Sequence, residues 1–446
     1  LTLQSWLPLS HQPTWQTRHD GFSSIASRPV VLRVFAVVDA QGGCQVLPGG
    51  LARLGTREGM ASMQRGGSSA DVWVQTQPHP TPPAAPSPTT SILTASDASA
   101  QRQRLVTSRA AENLFWMGRY TERTENTLRL VRLSLEILGS ENQNLPSLLN
   151  FITRMATRHG LVRAGVPAAV QAHRVFERSL IAGLWDQELA TSVGFNLRAV
   201  RLAAASVRER LSPEHWRLLE QAEARFFQLV NAPDLTQPTP DDLPDTVAVQ
   251  RLLADTSQLL AALTGAQTDR MSRDDGWRLL SMGRHIERLG FLSQALNEAV
   301  QLGLIEEQSG FDAVLELFDS TISFHAQYQQ SRTPQAMMDL LVTDPDNPRS
   351  LGWVAHTLRS RLRRMGHLTD GATLPMAERL PALIELRPQA LWPLNATTNT
   401  VPTTNNQPLP LQTTLAQCQS AAREVSDQLC SLFFTHSGEA RYSVGA

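Results

Sequence analysis

The side chains best placed to do chemistry in this sequence are three charges that occur twice in one order. Met117-Gly118-Arg119-x-x-Glu122-Arg123 returns 165 residues later as Met282-Gly283-Arg284-x-x-Glu287-Arg288. With Glu112 as origin and 100° per residue, Arg119, Glu122, Arg123 and Asn126 share one side of a helix with Phe115, Leu130, Leu133 and Ile137. That side becomes apolar toward its end, so it faces a core, and the charges enter the core at one end. Glu125, Arg129, Arg132 and Glu136 fall on another side and are assigned to water. Charges in a core stripe are costly unless paired. Two chemistries follow. The guanidinium forks can hold a carboxylate or phosphate in a pocket. Alternatively the charges form a buried ion-pair network that fixes how two halves pack, for which the i, i+3 and i, i+4 spacings are suited.

The candidate polar centre therefore comprises Glu112, Arg119, Glu122, Arg123, Asn126, Arg284, Glu287 and Arg288. Trp277 stands in the second copy where the first has Glu112, and Phe291 where it has Asn126. The first copy thus reads as the open end and the second as the drier one, which predicts that Glu287→Ala destabilises more than Glu122→Ala. Gly118 and Gly283 read as close-packing positions, because a helix-interior glycine costs about 1 kcal/mol relative to alanine unless packing requires it.

Residue types exclude several other chemistries. All 40 Lys-plus-Arg residues are arginines. Without lysine there is no P-loop lysine, no Schiff base, and no lysine of the kind ATP-grasp enzymes place on nucleotide phosphates. Cys44, Cys418 and Cys430 are too few and too scattered for a disulfide framework or zinc site, which fits a reducing cytoplasm. The Glu-x-x-His pattern of carboxylate–histidine metal centres in bundles is missing from both repeat helices. His285 lies beside the charged stripe, His325 reads as a core or capped histidine, and no metal is expected. No Gly-x-Ser-x-Gly elbow and no cysteine–histidine pair suggests a nucleophile. Trp116, Trp185, Trp216, Trp277 and Trp353 read as core aromatics. A formal net charge of −1 gives no field for nucleic acid or an anionic membrane. No run approaches the roughly 18–20 apolar residues of a membrane span. The expected location is the cytoplasm.

The 446 residues allow two or three domains. Residues 1–77 read as a small α/β piece. Val30 to Val38, Gln45 to Leu47 and Asp71 to Gln75 are strand-like, and Gly42-Gly43, Pro48-Gly49-Gly50 and Gly66-Gly67 read as turns. Residues 78–104 are rich in Pro, Ser and Thr and read as a linker. Residues 105–435 read as an all-helical domain of two similar halves, about 105–265 and 270–435, followed by a tail at 436–446. Ser212-Pro213-Glu214 and Asp274-Asp275 are helix starts. Asp344 to Pro348 is a turn feeding a helix from Ser350, and the Pro-rich stretches 232–244 and 395–410 read as loops. Ser192-Val193 and Ser350-Leu351, 158 residues apart, form a second matched pair at nearly the spacing of the first, which points to an internally duplicated helical bundle. The chain starts at Leu1 inside what reads as a domain, so it is expected to be a fragment.

Ser108 to Tyr120, Arg273 to Trp277, Gly283-Arg284 with Glu287-Arg288, and Asp344 to Ser350 resemble the bacterial alpha-E domain. Arg28 to Phe35, Leu47 to Arg53 and Gly66 to Val74 resemble the C-terminal end of a circularly permuted type 2 ATP-grasp domain, with Ala70 where that family usually places lysine. The resemblance implies a bacterial system that makes or modifies peptide bonds, with transglutaminase-like and amidohydrolase partners. ATP and magnesium are implied only for an intact ATP-grasp domain, so no cofactor is expected in this chain. Three readings stand: a non-catalytic helical partner or substrate-binding module of an ATP-grasp peptide ligase; an ATP-dependent carboxylate–amine ligase whose catalytic part is truncated here; and a purely structural oligomerisation bundle.

Overall fold

The computed structural model describes residues 9–17, 23–38, 44–55, 68–72, 106–140, 145–229, 245–366, 371–393 and 410–434. Contacts divide the chain into two units, 1–103 and 104–446.

The described part of the first unit is an antiparallel meander of four strands, β1 (Ser10–Thr17), β2 (Ser23–Val38), β3 (Cys44–Leu54) and β4 (Ser68–Val72), paired in sequence order. No helix occurs among its described residues, so the α/β expectation reduces there to a sheet. Pro48-Gly49-Gly50 is not a turn. It lies within β3, where the pairing with β2 shifts register between Val34 and Ala36. Gly50 permits this, since a Cβ there would lie 2.6 Å from the Arg33 carbonyl oxygen. Gly42-Gly43, Gly66-Gly67 and the linker 78–104 lie outside the described residues.

The second unit contains fourteen α-helices among its described residues. The first six are α1 (Ser108–Gly139), α2 (Pro146–Arg158), α3 (His173–Gly183), α4 (Val193–Ala205), α5 (Pro213–Phe227) and α6 (Thr246–Asp269). They are followed by α7 (Asp275–Gln301), α8 (Gln308–Leu317), α9 (Thr321–Tyr328), α10 (Pro334–Met338), α11 (Leu351–Arg364), α12 (Leu374–Arg379), α13 (Pro388–Leu391) and α14 (Pro410–Phe433). Short polar side chains set the starts. Thr107, Ser192, Ser212, Asp274 and Ser350 each accept a backbone N–H from three residues on. Proline occupies the first turn of α2 and α5. Pro410 opens α14, so the second Pro-rich stretch ends one residue earlier than expected. Residues 232–244 and 395–409 lie outside the described residues.

Helices α1 and α7 form the axis of this unit and run in the same direction, with Leu114 against Gly276, Gly118 against Leu280 and Glu122 against Arg288. Their contact is reciprocal. A Cβ on Gly118 would lie 2.1 Å from the Leu280 carbonyl oxygen, and one on Gly283 would lie 2.1 Å from that of Phe115. The remaining helices surround this pair in matching order. Helix α4 packs on α1 and α11 on α7, while α6 and α14 flank the same two helices. The caps match as well. Ser192 Oγ donates to the carbonyl of Asp186 and Ser350 Oγ to that of Asp344, each six residues back. Buried hydroxyls along the axis, Thr121, Ser134 and Ser293, are satisfied by carbonyls four residues earlier.

Because the two glycines touch backbone rather than flexible side chains, Gly118→Ala and Gly283→Ala must push the axis helices apart. Each is expected to cost about 3 kcal/mol, the upper end of typical overpacking losses. Gly265, in α6, would place its Cβ in open space, so Gly265→Ala should stabilise by about 1 kcal/mol. Urea unfolding of the three variants checks the contrast, and a neutral Gly118→Ala would contradict the close crossing.

Candidate functional site

The two repeat motifs do not pair internally. They pair with each other across the axis, and they form two separate centres. In the first, Glu122 of α1 accepts a bidentate pair from Arg288 of α7, at 2.6 Å from Nε and 2.7 Å from Nη2. Arg284 Nε approaches to 3.6 Å and Arg349 Nη1 to 3.4 Å. In the second, Glu287 of α7 accepts from Arg123 of α1 at 2.9 and 3.1 Å, and from Arg119 Nε at 2.9 Å. The i, i+3 and i, i+4 pairing suggested by spacing is thus replaced by inter-helix pairing. Parallel helices at glycine-limited separation put each glutamate nearer the partner helix's arginines than its own.

The centres differ in access. The Glu122 side chain is fully buried, while Glu287 is 16% exposed and Arg119 and Arg123 are 18% and 24% exposed. The sequence reading, which made the first copy open and the second dry, holds for the arginines and inverts for the carboxylates, because each carboxylate belongs to the other copy's arginines. Burial alone would raise the Glu122 carboxyl, but Arg288, Arg349 and Arg284 hold it far below the usual carboxylate range. Glu287 is likewise lowered by Arg123 and Arg119 against its burial. Arg284 is pulled down by burial, which Glu122 offsets only in part, and its Nε has no hydrogen-bond partner among the described residues.

Glu125 and Arg129 do not face water as expected. Arg349, just ahead of the Ser350 cap, covers them, with its guanidinium on Glu125, whose carboxylate also takes Arg129 Nη2 at 3.0 Å. Arg129 lies 3.6 Å from Asp319. Together these side chains close the Glu122 centre.

The Glu287 centre opens instead into a cavity of about 300 Å³ between α7 and α14, with Arg119, Glu287, Gly290, Gln294, Arg423 and Asp427 on its walls. A smaller cavity of about 50 Å³ adjoins it, where Asn126 and Thr191 meet Arg123. His159 and Phe291 border both, their rings 5.0 Å apart. Burial drives the His159 imidazole down to about 4. His159 Nε2, Gln294 Nε2 and both side-chain polar atoms of Asn126 are buried with no hydrogen-bond partner among the described residues. Arg119 also donates to Ser426 Oγ of α14 at 2.7 Å, and its guanidinium lies 5.2 Å from the Trp116 ring. Glu112 is half-buried at the start of α1, outside the residues that border either cavity.

Of the eight expected residues, seven fall in the two centres. Arg349, Glu125, His159, Thr191 and Gln294 were not singled out by sequence. Arg349 could have been, since it directly precedes the second matched serine as Thr191 precedes the first. Nothing among the described residues forms a group of three or more metal-ligating side chains.

Glu122→Ala would leave Arg284 and Arg288 buried without their carboxylate, while Arg349 keeps Glu125, at a cost of about 3–5 kcal/mol. Glu287→Ala leaves two arginines that water can reach, for a loss nearer 1 kcal/mol. This reverses the order expected from sequence, and urea unfolding of the two variants decides it. A second outcome concerns pH. Burial lowers His159 and His215 to about 4 and His285 to about 3, below the 6.5 of the unfolded chain. The unfolded state therefore binds more protons between about pH 6.5 and 4, and the histidine contribution present above 6.5 is lost as pH falls through that window. Urea midpoints should decline from pH 7 to 4, and His215→Gln should flatten the decline.

Residues 106–434 match the Alpha-E family, described as a predicted alpha-helical domain with a conserved ER motif. Glu122-Arg123 and Glu287-Arg288, at the heart of the two centres, are Glu-Arg steps of that form. The chain is 27% identical over 370 residues to an uncharacterized protein of Mycobacterium bovis and to uncharacterized proteins of two Mycobacterium tuberculosis strains. The match covers 78% of this chain but 39% of each relative, so the chain spans about two fifths of the length of these curated relatives. No solved structure matches it. No described helix is long and apolar enough to cross a membrane. The match over residues 106–434 places the chain in the Alpha-E family.

Proposed function

We propose that this chain is a non-catalytic helical binding module of an amide-bond-forming or peptide-modifying ATP-grasp system, and that the Glu287 centre is the part that meets a ligand. The observation that carries this is the pairing of accessible guanidiniums with a polar cavity of about 300 Å³. The reactive groups nearby are quiet. Burial pushes the Cys418 thiol up to about 12 and raises that of Cys430, while His159 is uncharged at neutral pH. Such a site suits holding an anion rather than attacking a carbonyl. The Glu122 centre serves as the structural counterpart. Their matched contacts support descent of the two halves from one duplicated unit.

In this reading the partner is an ATP-grasp ligase, or the ATP-grasp domain of a longer parent, with a transglutaminase-like protein as a further partner. The protein works in the cytoplasm. A second reading draws on the sheet at 10–72 and on the length of the relatives. It makes the parent an ATP-dependent carboxylate–amine ligase with this helical unit as its accessory.

Equilibrium dialysis of this chain against Mg·ATP tests the module reading. The module reading expects no binding in the micromolar range and no ATP hydrolysis. Micromolar affinity would overturn it in favour of a ligase within this chain.

A further inference from the structure

The two centres share an inner trio and differ only in what surrounds it, and the difference identifies a ligand. Positions 165 apart on α1 and α7 correspond, so Glu125 and Arg129 match Gly290 and Gln294. The residues before the two matched serine caps correspond, so Arg349 matches Thr191. The turns after α2 and α8 also correspond. Gly160 and Asp319 both have positive φ, 62° and 52°, and the next residue of each closes the same turn, Leu161 N–H to Ala156 and Ser320 N–H to Leu315. Asp319 therefore matches Gly160. The Glu122 trio is covered by Glu125, Arg129, Asp319 and Arg349, two carboxylates and two guanidiniums. Around Glu287 the same places hold Gly290, Gln294, Gly160 and Thr191, with no charge at all.

We propose that the Glu287 centre binds a carboxylate at the place Glu125 occupies in the other centre. This rests on reading that centre as the ligand site. Gly290 leaves the space, since a Cβ there would meet only the Ala422 Cβ, at 4.0 Å. Gln294 stands where Arg129 donates to Glu125, and its buried Nε2 has no partner among the described residues. His159 Nε2, also buried and without a partner among the described residues, faces the same cavity and donates in the tautomer that carries its proton there. The charge balance agrees. Arg119 and Arg123 against Glu287 leave one positive charge, as Arg284 and Arg288 against Glu122 do, the wall charges Arg423 and Asp427 sum to zero, and a bound carboxylate offsets the excess. Removing only charged neighbours would have left an open surface. Here donors remain and the acceptor is missing, which is the pattern of a site built for an exogenous carboxylate.

The carboxylate can come from a peptide C-terminus or from an acidic side chain. Calorimetry on this chain with acetyl-trialanine, its C-terminal amide, and an amidated acetyl-Ala-Glu-Ala peptide distinguishes the sources. Binding of the free acid alone assigns a C-terminus, and binding of the amidated glutamyl peptide assigns a side chain. Gln294→Arg, which copies Arg129, should tighten the binding probe at least tenfold. Gly290→Glu supplies the carboxylate from within, so it should abolish binding and raise Tm by several degrees above its neutral isostere Gly290→Gln. No binding of either acid up to 10 mM (roughly a −3 kcal/mol interaction), or a Gly290→Glu variant no more stable than Gly290→Gln, overturns the proposal. Mg·ATP titrated into the same sample keeps the two questions apart. Micromolar nucleotide binding would defeat the module reading, whereas failure of the peptides without nucleotide binding defeats only the carboxylate assignment.

Discussion

The close crossing of α1 and α7 at Gly118 and Gly283 is the constraint on which the rest of the helical unit depends. With no side chain on either glycine, each helix backbone lies against the other's carbonyls. At that separation a glutamate one turn further along reaches the partner helix's arginines, so Glu122 meets Arg288 and Glu287 meets Arg123. The ion pairs and the glycines are therefore one device. Larger residues at 118 and 283 would carry the carboxylates out of bidentate range, and the arginines would be left buried and unpaired. Burial of charge then acts as a register lock, since sliding one helix by a turn would part both pairs at once.

The same inner trio serves two ends because of its surroundings. Around Glu122, Arg349 and Arg129 bring Glu125 inward and shut out water, and the arginines outweigh the desolvation that would otherwise protonate the carboxyl. The closure has a cost, seen in the Nε of Arg284 and Nη1 of Arg129, both buried without a hydrogen-bond partner among the described residues. Around Glu287 the places matching Glu125, Arg129, Asp319 and Arg349 hold small or neutral residues, and a cavity remains between α7 and α14. A centre of this kind retains its charge with less internal compensation, and that is where a ligand has something to add.

Much of this was legible in the sequence. The helical stripe, the serine and aspartate caps and the second matched serine pair can be read from spacing, because caps and periodicity are local. Seven of the eight candidate residues lie in the centres for the same reason. The direction of pairing was not legible, since a helical wheel shows which face a charge is on but not which helix supplies its partner. Glu125 and Arg129 sit on the face that a lone helix would give to water, and only the loop carrying Arg349 covers them. In the sheet, Pro48-Gly49-Gly50 has the composition of a turn, and only pairing with β2 shows it to be an irregular strand.

One centre is sealed and the other is reachable by solvent, while both stay paired. Hydrogen exchange at the arginine Nε–H groups, followed by nitrogen-15 NMR on the unaltered protein, tests it without disturbing either centre. Arg288 Nε–H should exchange only through global unfolding and gain its rate in step with urea. Arg119 and Arg123 should exchange orders of magnitude faster and with little urea dependence, through the cavity. Equal protection at all three arginines would contradict the account.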